Sequence, residues 1–304
     1  MRLRRLLALA GVVAALAGCT VSPGHVTPVF RTPLPSPSAP PAVSGTAPAE
    51  SFDVAVRQLD LDRDGRSLPT TVWYPEEGSG RFPVVVFSHG LGGSPSDYAA
   101  LLRRWAAAGF VVAAPAYPHT SRGVREYAVL DVINQPSDAS YVLGRVLDLD
   151  RRRGDPLFGR IATDRVAAAG HSAGGITTVG LFTLFRDARL DAGIVLSGNA
   201  LGAGTGFRGA AAPMLFVHGE RDGTVSYASG KAAYDAVPWP KAMLTFPDGD
   251  HGQTLLRDGG APFAVLTDTT LDFLRWSLYG DAAAKARIPR DASRGDVATL
   301  DDRL

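Results

Sequence analysis

Two hydrophobic periods organise the chain from Ser51 onward. Phe52 to Leu59 alternates apolar and polar residues, as a half-buried strand does. Thr70–Pro75 reads as its partner, and Asp64-Gly65-Arg66 supplies turn chemistry between them, so the two strands are expected to be antiparallel. The pattern then becomes continuous. Pro83–Ser88, Phe110–Ala114, Arg165–Ala169, Asp191–Ser197, Pro213–His218 and Ala242–Phe246 are short apolar runs of strand length, suited to parallel strands buried on both faces. Helical spacing fills the intervals. Ser94-Pro95 is a helix start, with Tyr98, Leu101, Leu102 and Trp105 on one face and Gly109 as the stop. Helices are also predicted over Ser137–Arg153, Ile176–Phe185, Ser226–Val237 and Phe263–Trp276. Strands alternating with helices predict one α/β domain over residues 51–280, with a mostly parallel central sheet. Residues 281–304 carry five basic and five acidic side chains and read as a polar C-terminal tail, loose or containing one small helix.

The first fifty residues follow a different logic. Arg2, Arg4 and Arg5 precede an apolar stretch, Leu6–Gly18, that is too short to span a bilayer comfortably. It ends in Leu16-Ala17-Gly18-Cys19, which resembles the lipobox of bacterial lipoproteins. That resemblance implies a signal peptide over residues 1–19, lipid on Cys19 and an extracytoplasmic, membrane-anchored location; an ordinary secretory signal is the alternative. Cys19 is the only cysteine, so an internal disulfide is excluded. Residues 20–50 hold eight prolines and read as an extended tether. Over the whole chain, 45% of residues are hydrophobic, 20% are charged and the net charge is +1. This balance gives no footprint for nucleic acid. A monomer is expected.

The chemistry concentrates at Gly170-His171-Ser172-Ala173-Gly174, a G-x-S-x-G sequence between a predicted strand and a predicted helix. A serine is a poor nucleophile until a base takes its proton and an acid orients that base. Downstream, Pro213–Asp222 is a strand followed by a polar turn, with Asp222 or Glu220 as the acid. His251 follows the last parallel run. Both turns fall at carboxyl ends of strands, where open α/β sheets place their sites. Of the other histidines, His89 is expected to support the loop after the first buried strand, His171 to pack beside the elbow and His218 to bond within its strand end. His119 is expected at the surface. No His, Asp or Glu spacing suits a metal, and no cofactor is expected.

Together, Gly170–Gly174, His218-Gly-Glu-Arg-Asp222 and Gly249-Asp-His251 are similar to the α/β-hydrolase superfamily. Ser88-His89-Gly90-Leu91-Gly92-Gly93 further resembles the bacterial cutinase, polyester-hydrolase and platelet-activating-factor acetylhydrolase-like group. The resemblance covers roughly residues 52–278. It implies Ser172 as nucleophile, His251 as base and Asp222 as acid. It implies an oxyanion hole from the backbone N–H groups of Ala173 and Leu91, with Gly90 as the alternative to Leu91. The activity implied is hydrolysis of small or polymeric carboxylic esters, with a peptidase or amidase, or a non-catalytic binding protein, as rivals. Only Gly198–Ala212 separates two predicted strands, so no large cap domain is expected. The long connection Ala116–Pro136, with Tyr117, His119 and Tyr127, is expected to wall the cleft.

Overall fold

Alternate residues of the central strands enter two different cores, one on each face of a single sheet. In the computed structural model, which describes residues 47–78, 80–253 and 256–304, β3 (Phe82–Ser88) sends Val85 and Phe87 to one side and Val84 and Val86 to the other. The neighbouring strands β4 (Val111–Pro115), β5 (Ile161–His171), β7 (Met214–Gly219) and β8 (Lys241–Phe246) divide their side chains the same way. One face is covered by α1 (Ala99–Ala107), α5 (Ala261–Tyr279) and α6 (Ala282–Ala292), through Leu101, Trp105, Phe273 and Ile288. The other is covered by α2 (Gln135–Leu147), α3 (Ala173–Phe182) and α4 (Tyr227–Ala236), through Val142, Val179 and Tyr234. With β1 (Val54–Arg63), β2 (Arg66–Pro75), β6 (Ala192–Leu196) and β9 (Thr299–Arg303), the strand order is β1-β2-β4-β3-β5-β6-β7-β8-β9. The six strands from β4 to β8 run parallel. β1, β2 and β9 pair antiparallel at the two edges. This is the α/β class expected, in the arrangement of an α/β-hydrolase. The chain between β6 and β7 makes turns only.

The C-terminal residues contain the one small helix allowed for and, beyond it, a strand that was not expected. Residues 281–304 form α6, a short 3-10 turn and β9, and β9 pairs with β8 from Lys241↔Arg303 to Thr299↔Thr245. Ala284, Ile288 and Ala292 do stand at helical spacing, but most apolar residues of the segment are alanine, and Thr299–Arg303 shows no strand period. The segment's order comes from ladder hydrogen bonds, from the buried side chain of Ile288 and from Arg287, which forks onto Asp272 of α5 at 2.8 and 2.7 Å. The predicted tether also ends earlier than expected. Ala47 is buried, and Pro48 lies where a side chain on Gly109 would stand, 2.8 Å from its Cβ position. Residues 1–46, including Cys19 and the signal-like stretch, lie outside the described residues. Among the described residues, no helix is long and apolar enough to cross a membrane.

The cleft connection is braced from the β1–β2 hairpin. Arg66 donates to both oxygens of Asp131, at 3.0 and 2.7 Å, and to Asp138 at 2.7 Å; Arg63 donates to Asp138 at 2.8 Å. The Asp138 carboxylate is fully buried. Removing the guanidinium leaves buried charge without its main partner, which is costly. Arg66→Met is expected to lower the free energy of unfolding by about 3 kcal/mol, read as a reduced midpoint in urea.

Candidate active site

Ser172 follows directly on β5 and immediately precedes α3, with φ 55° and ψ −119°. A serine at positive φ is strained, and the surroundings enforce it. A Cβ on Gly170 would stand 2.2 Å from the Gly174 carbonyl oxygen, and one on Gly174 would stand 1.9 Å from that of Ser88. Only glycine lets strand, turn and helix approach so closely. The Ser172 N–H donates to Leu196 O of β6 at 2.9 Å, and its carbonyl accepts from Ile176 N–H at 3.1 Å. The hydroxyl is thereby raised at the N-terminus of α3, where backbone donors and the helix dipole favour negative charge.

Two further strand ends complete the line. The turn after β7 presents Asp222, and the loop after β8 presents His251. Their main chains touch: Arg221 N–H donates to Gly249 O at 3.0 Å, and a Cβ on Gly219 would overlap that same carbonyl. His251 Nδ1–H donates to Asp222 Oδ2 at 2.7 Å, and Ser172 Oγ donates to His251 Nε2 at 2.8 Å. Asp222 Oδ1 accepts from the Thr224 and Val225 N–H groups, both at 2.8 Å. Burial alone would raise the Asp222 pKa, but the bonds from His251, Val225 and Thr224 outweigh it and hold the carboxyl below its ordinary value. Of the two sequence candidates for the acid, Glu220 is exposed and Asp222 meets His251. Asp248 is exposed and paired with Arg221.

The loop after β3 lies against the serine. A Cβ on Gly90 would stand 3.3 Å from Ser172 Cβ. The Gly90 N–H donates to Tyr98 Oη at 2.9 Å and that of Gly92 to Thr120 O at 2.7 Å. The N–H groups of Leu91 and Ala173 have no acceptor among the described residues. Of the two sequence alternatives, Gly90 has its donor occupied and Leu91 has not. His89 is buried below this loop. Its Nδ1 donates to Gly90 O at 2.8 Å, and its Nε2 accepts from Ser121 Oγ at 2.8 Å. A second buried layer joins loop to helix: Gln135 donates to Thr120 Oγ1 and accepts from Thr177 Oγ1, both at 2.6 Å.

Tyr117 does not wall the cleft. It is fully buried, and its hydroxyl meets Ser88 Oγ at 2.7 Å. The same connection carries Tyr127, Val129, Leu130 and Ile133, each at least 48% exposed, and the Tyr127 hydroxyl lies 3.7 Å from the Cβ position of Gly92; Leu201, on the connection after β6, is exposed as well. His119 closes its own loop through Glu126 O at 3.0 Å. His218 bonds to Val225 O at 2.9 Å and lies 3.3 Å from Asp222 Oδ2. His171 does more than pack: it bonds to Tyr98 Oη at 2.9 Å and to the carbonyl of His251 at 2.7 Å. Neither this link nor the Gln135 layer has a spacing that a sequence pattern would reveal.

Residues 68–128 match the family model described as platelet-activating factor acetylhydrolase, isoform II. The matched segment runs from β2 through β3, the Gly90–Gly93 loop, α1 and β4 into the connection that follows, and it supports the likeness to α/β-hydrolases of that kind. No curated protein matches the chain.

Two expectations follow from the burial. The His171 pKa is pushed from 6.5 to about 4, first by burial and then by the neighbouring His251; burial also lowers those of His89 and His218. Above 6.5 both folded and unfolded rings are neutral and the contribution to stability is full. As pH falls from 6.5 toward 4, the unfolded ring takes up a proton that the folded one refuses, and stability is lost. Urea unfolding at pH 5 is expected to show a loss on the order of 2 kcal/mol from His171 alone, relative to pH 7. Ser172→Gly relieves the positive φ and is expected to raise stability at pH 7 by about 1 kcal/mol in the same assay.

Proposed function

We propose that this chain is a serine hydrolase that cleaves carboxylic esters through an acyl-enzyme intermediate. The observation that carries the reading is the unbroken line from Asp222 through His251 to Ser172, at 2.7 and 2.8 Å, beside two backbone donors that have no acceptor among the described residues. In this reading Ser172 Oγ attacks the ester carbonyl carbon while His251 Nε2 takes the hydroxyl proton. Asp222 keeps the proton of Nδ1 in place and stabilises the imidazolium. The carbonyl oxygen becomes an oxyanion and is met by the N–H groups of Leu91 and Ala173; one such donor is worth about 3 kcal/mol of barrier. The tetrahedral adduct collapses, the C–O bond to the alcohol breaks, and His251 returns the proton to the departing oxygen. Water then enters, gives a proton to His251 and attacks the acyl carbon. The second adduct releases the acid and restores Ser172.

The exposed apolar side chains Tyr127, Val129, Leu130 and Ile133, on the connection that approaches the Gly90–Gly93 loop through Tyr127, favour an ester whose acyl or alcohol part is apolar, including a polymeric one. The acetyl group named in the matched family's description marks the short end of that range. We also propose that the chain acts outside the cytoplasm as a monomer, held to a membrane by lipid on Cys19. The lipobox-like sequence before that residue supports this location.

The test is hydrolysis of p-nitrophenyl esters from acetyl to long acyl by the full chain. Ser172→Ala is expected to abolish turnover at every chain length. Asp222→Asn is expected to lower kcat by about 10⁴, because the wrong histidine tautomer then faces the serine. Equal rates in the wild-type chain and Ser172→Ala would overturn the reading.

A further inference from the structure

We propose that Tyr98 and His171 are positioning residues that hold the oxyanion loop and the His251 loop in register with one another. The inference rests on the ester-hydrolase reading above. It starts from atoms whose hydrogen-bonding sense is fixed. The Gly90 N–H can only donate, and it donates to Tyr98 Oη at 2.9 Å. The tyrosine proton therefore turns to its other neighbour, His171 Nδ1, at 2.9 Å. At the far end the His251 carbonyl can only accept, and it lies 2.7 Å from His171 Nε2. The ring proton must then sit on Nε2. The opposite tautomer would set a nitrogen lone pair against that carbonyl oxygen. Donation runs one way along the line: Gly90 N–H, Tyr98 O–H, His171 Nε2–H, His251 C=O.

Its two ends are informative. Gly90 immediately precedes Leu91, the proposed oxyanion donor. The other end is the main chain of His251 itself. One of the two proposed oxyanion donors, Leu91, comes from the end of β3, and the imidazole that moves the proton comes from the end of β8. Neither strand neighbours the other in the sheet. The line joins them across the elbow of β5. It is buried and packed as well as bonded. Tyr98 and His171 are 6% and 8% exposed, and the His171 and His251 rings lie 5.0 Å apart. A Cβ on Gly252, at φ 106°, would stand 2.6 Å from His171 Nε2. The ionisable groups acting on His171 are His251, Asp222 and His218, besides the Tyr98 hydroxyl that bonds to it. A second ring proton on Nδ1 would leave the Tyr98 proton without its acceptor, so the line needs a neutral ring. An apolar pair would fill the same space without that constraint, but it would transmit no register. A displacement near 1 Å at a reacting group can cost about 100-fold in rate.

The experiment compares the full-length wild type with Tyr98→Phe, His171→Leu, the double variant and Ser172→Ala on p-nitrophenyl acetate. It measures kcat, KM and the thermal midpoint of each. Tyr98→Phe removes a single oxygen and retains the ring, so it tests the idea even if His171→Leu fails to fold. The expected result is a kcat lower by roughly 10- to 100-fold, with KM within about twofold. The double variant should be no slower than the worse single one, because both cut the same line. The inference is overturned if Tyr98→Phe keeps kcat within about twofold of a Ser172-dependent wild type, or if the two losses multiply. Equal rates in the wild type and Ser172→Ala would instead sink the hydrolase reading, and this inference with it.

Discussion

The backbone of Ser172 is held at a positive φ that serine does not choose, and much of the molecule serves to keep it there. Glycines on both sides of it remove the atoms that would push strand and helix apart. The carbonyl of Leu196 takes its N–H, and the first turn of α3 takes its carbonyl. That arrangement needs β5 fixed between β3 and β6, and those strands are fixed by two cores that clamp the sheet from both faces. The local strain is small beside the burial of so many apolar side chains, so the fold can sustain it. A half-buried hydroxyl aimed at His251 is what the strain yields.

Around that hydroxyl the dominant theme is polar groups kept dry and fully matched. Asp222 stays ionised because three donors converge on it despite burial. His89, His171 and His218 stay neutral because burial opposes their charge and each finds partners suited to the neutral ring. Neutral neighbours matter for His251, since a cation beside it would oppose the imidazolium of the proposed reaction. The surrounding imidazoles support the site by remaining uncharged.

Much of the architecture was legible in the sequence because burial on two faces writes continuous apolar runs. Pro83–Ser88 and Pro213–His218 are such runs, and both became strands within one residue of expectation. Ser172, Asp222 and His251 were legible for a different reason: each lies in a turn at a strand end, marked by glycine. Preferring Asp222 to Glu220, and Leu91 to Gly90, rests on the resemblance, because the rivals in the first pair stand two positions apart and those in the second are adjacent; in the fold Asp222 is the one that meets His251, and the Gly90 N–H is taken by Tyr98. β9 was illegible because an edge strand rich in charge has no apolar period to display, although charge at an edge is what discourages pairing with a second molecule. Tyr98 looked like one more apolar position on a helix face. Its hydroxyl matters only because folding brings it to His171, 73 residues away.

The glycine contacts at the elbow and between the Asp222 and His251 loops have a consequence for how such a protein can drift over time. Side chains that perform chemistry can be exchanged for other reactive groups, and activity then changes in kind or degree. A position whose requirement is the absence of a side chain has no substitute among the other nineteen residues. Gly170, Gly174 and Gly219 approach main-chain atoms rather than yielding side-chain ends. The least replaceable letters of this site therefore carry no functional group, and a descendant that lost the Ser172 hydroxyl would still be expected to keep them.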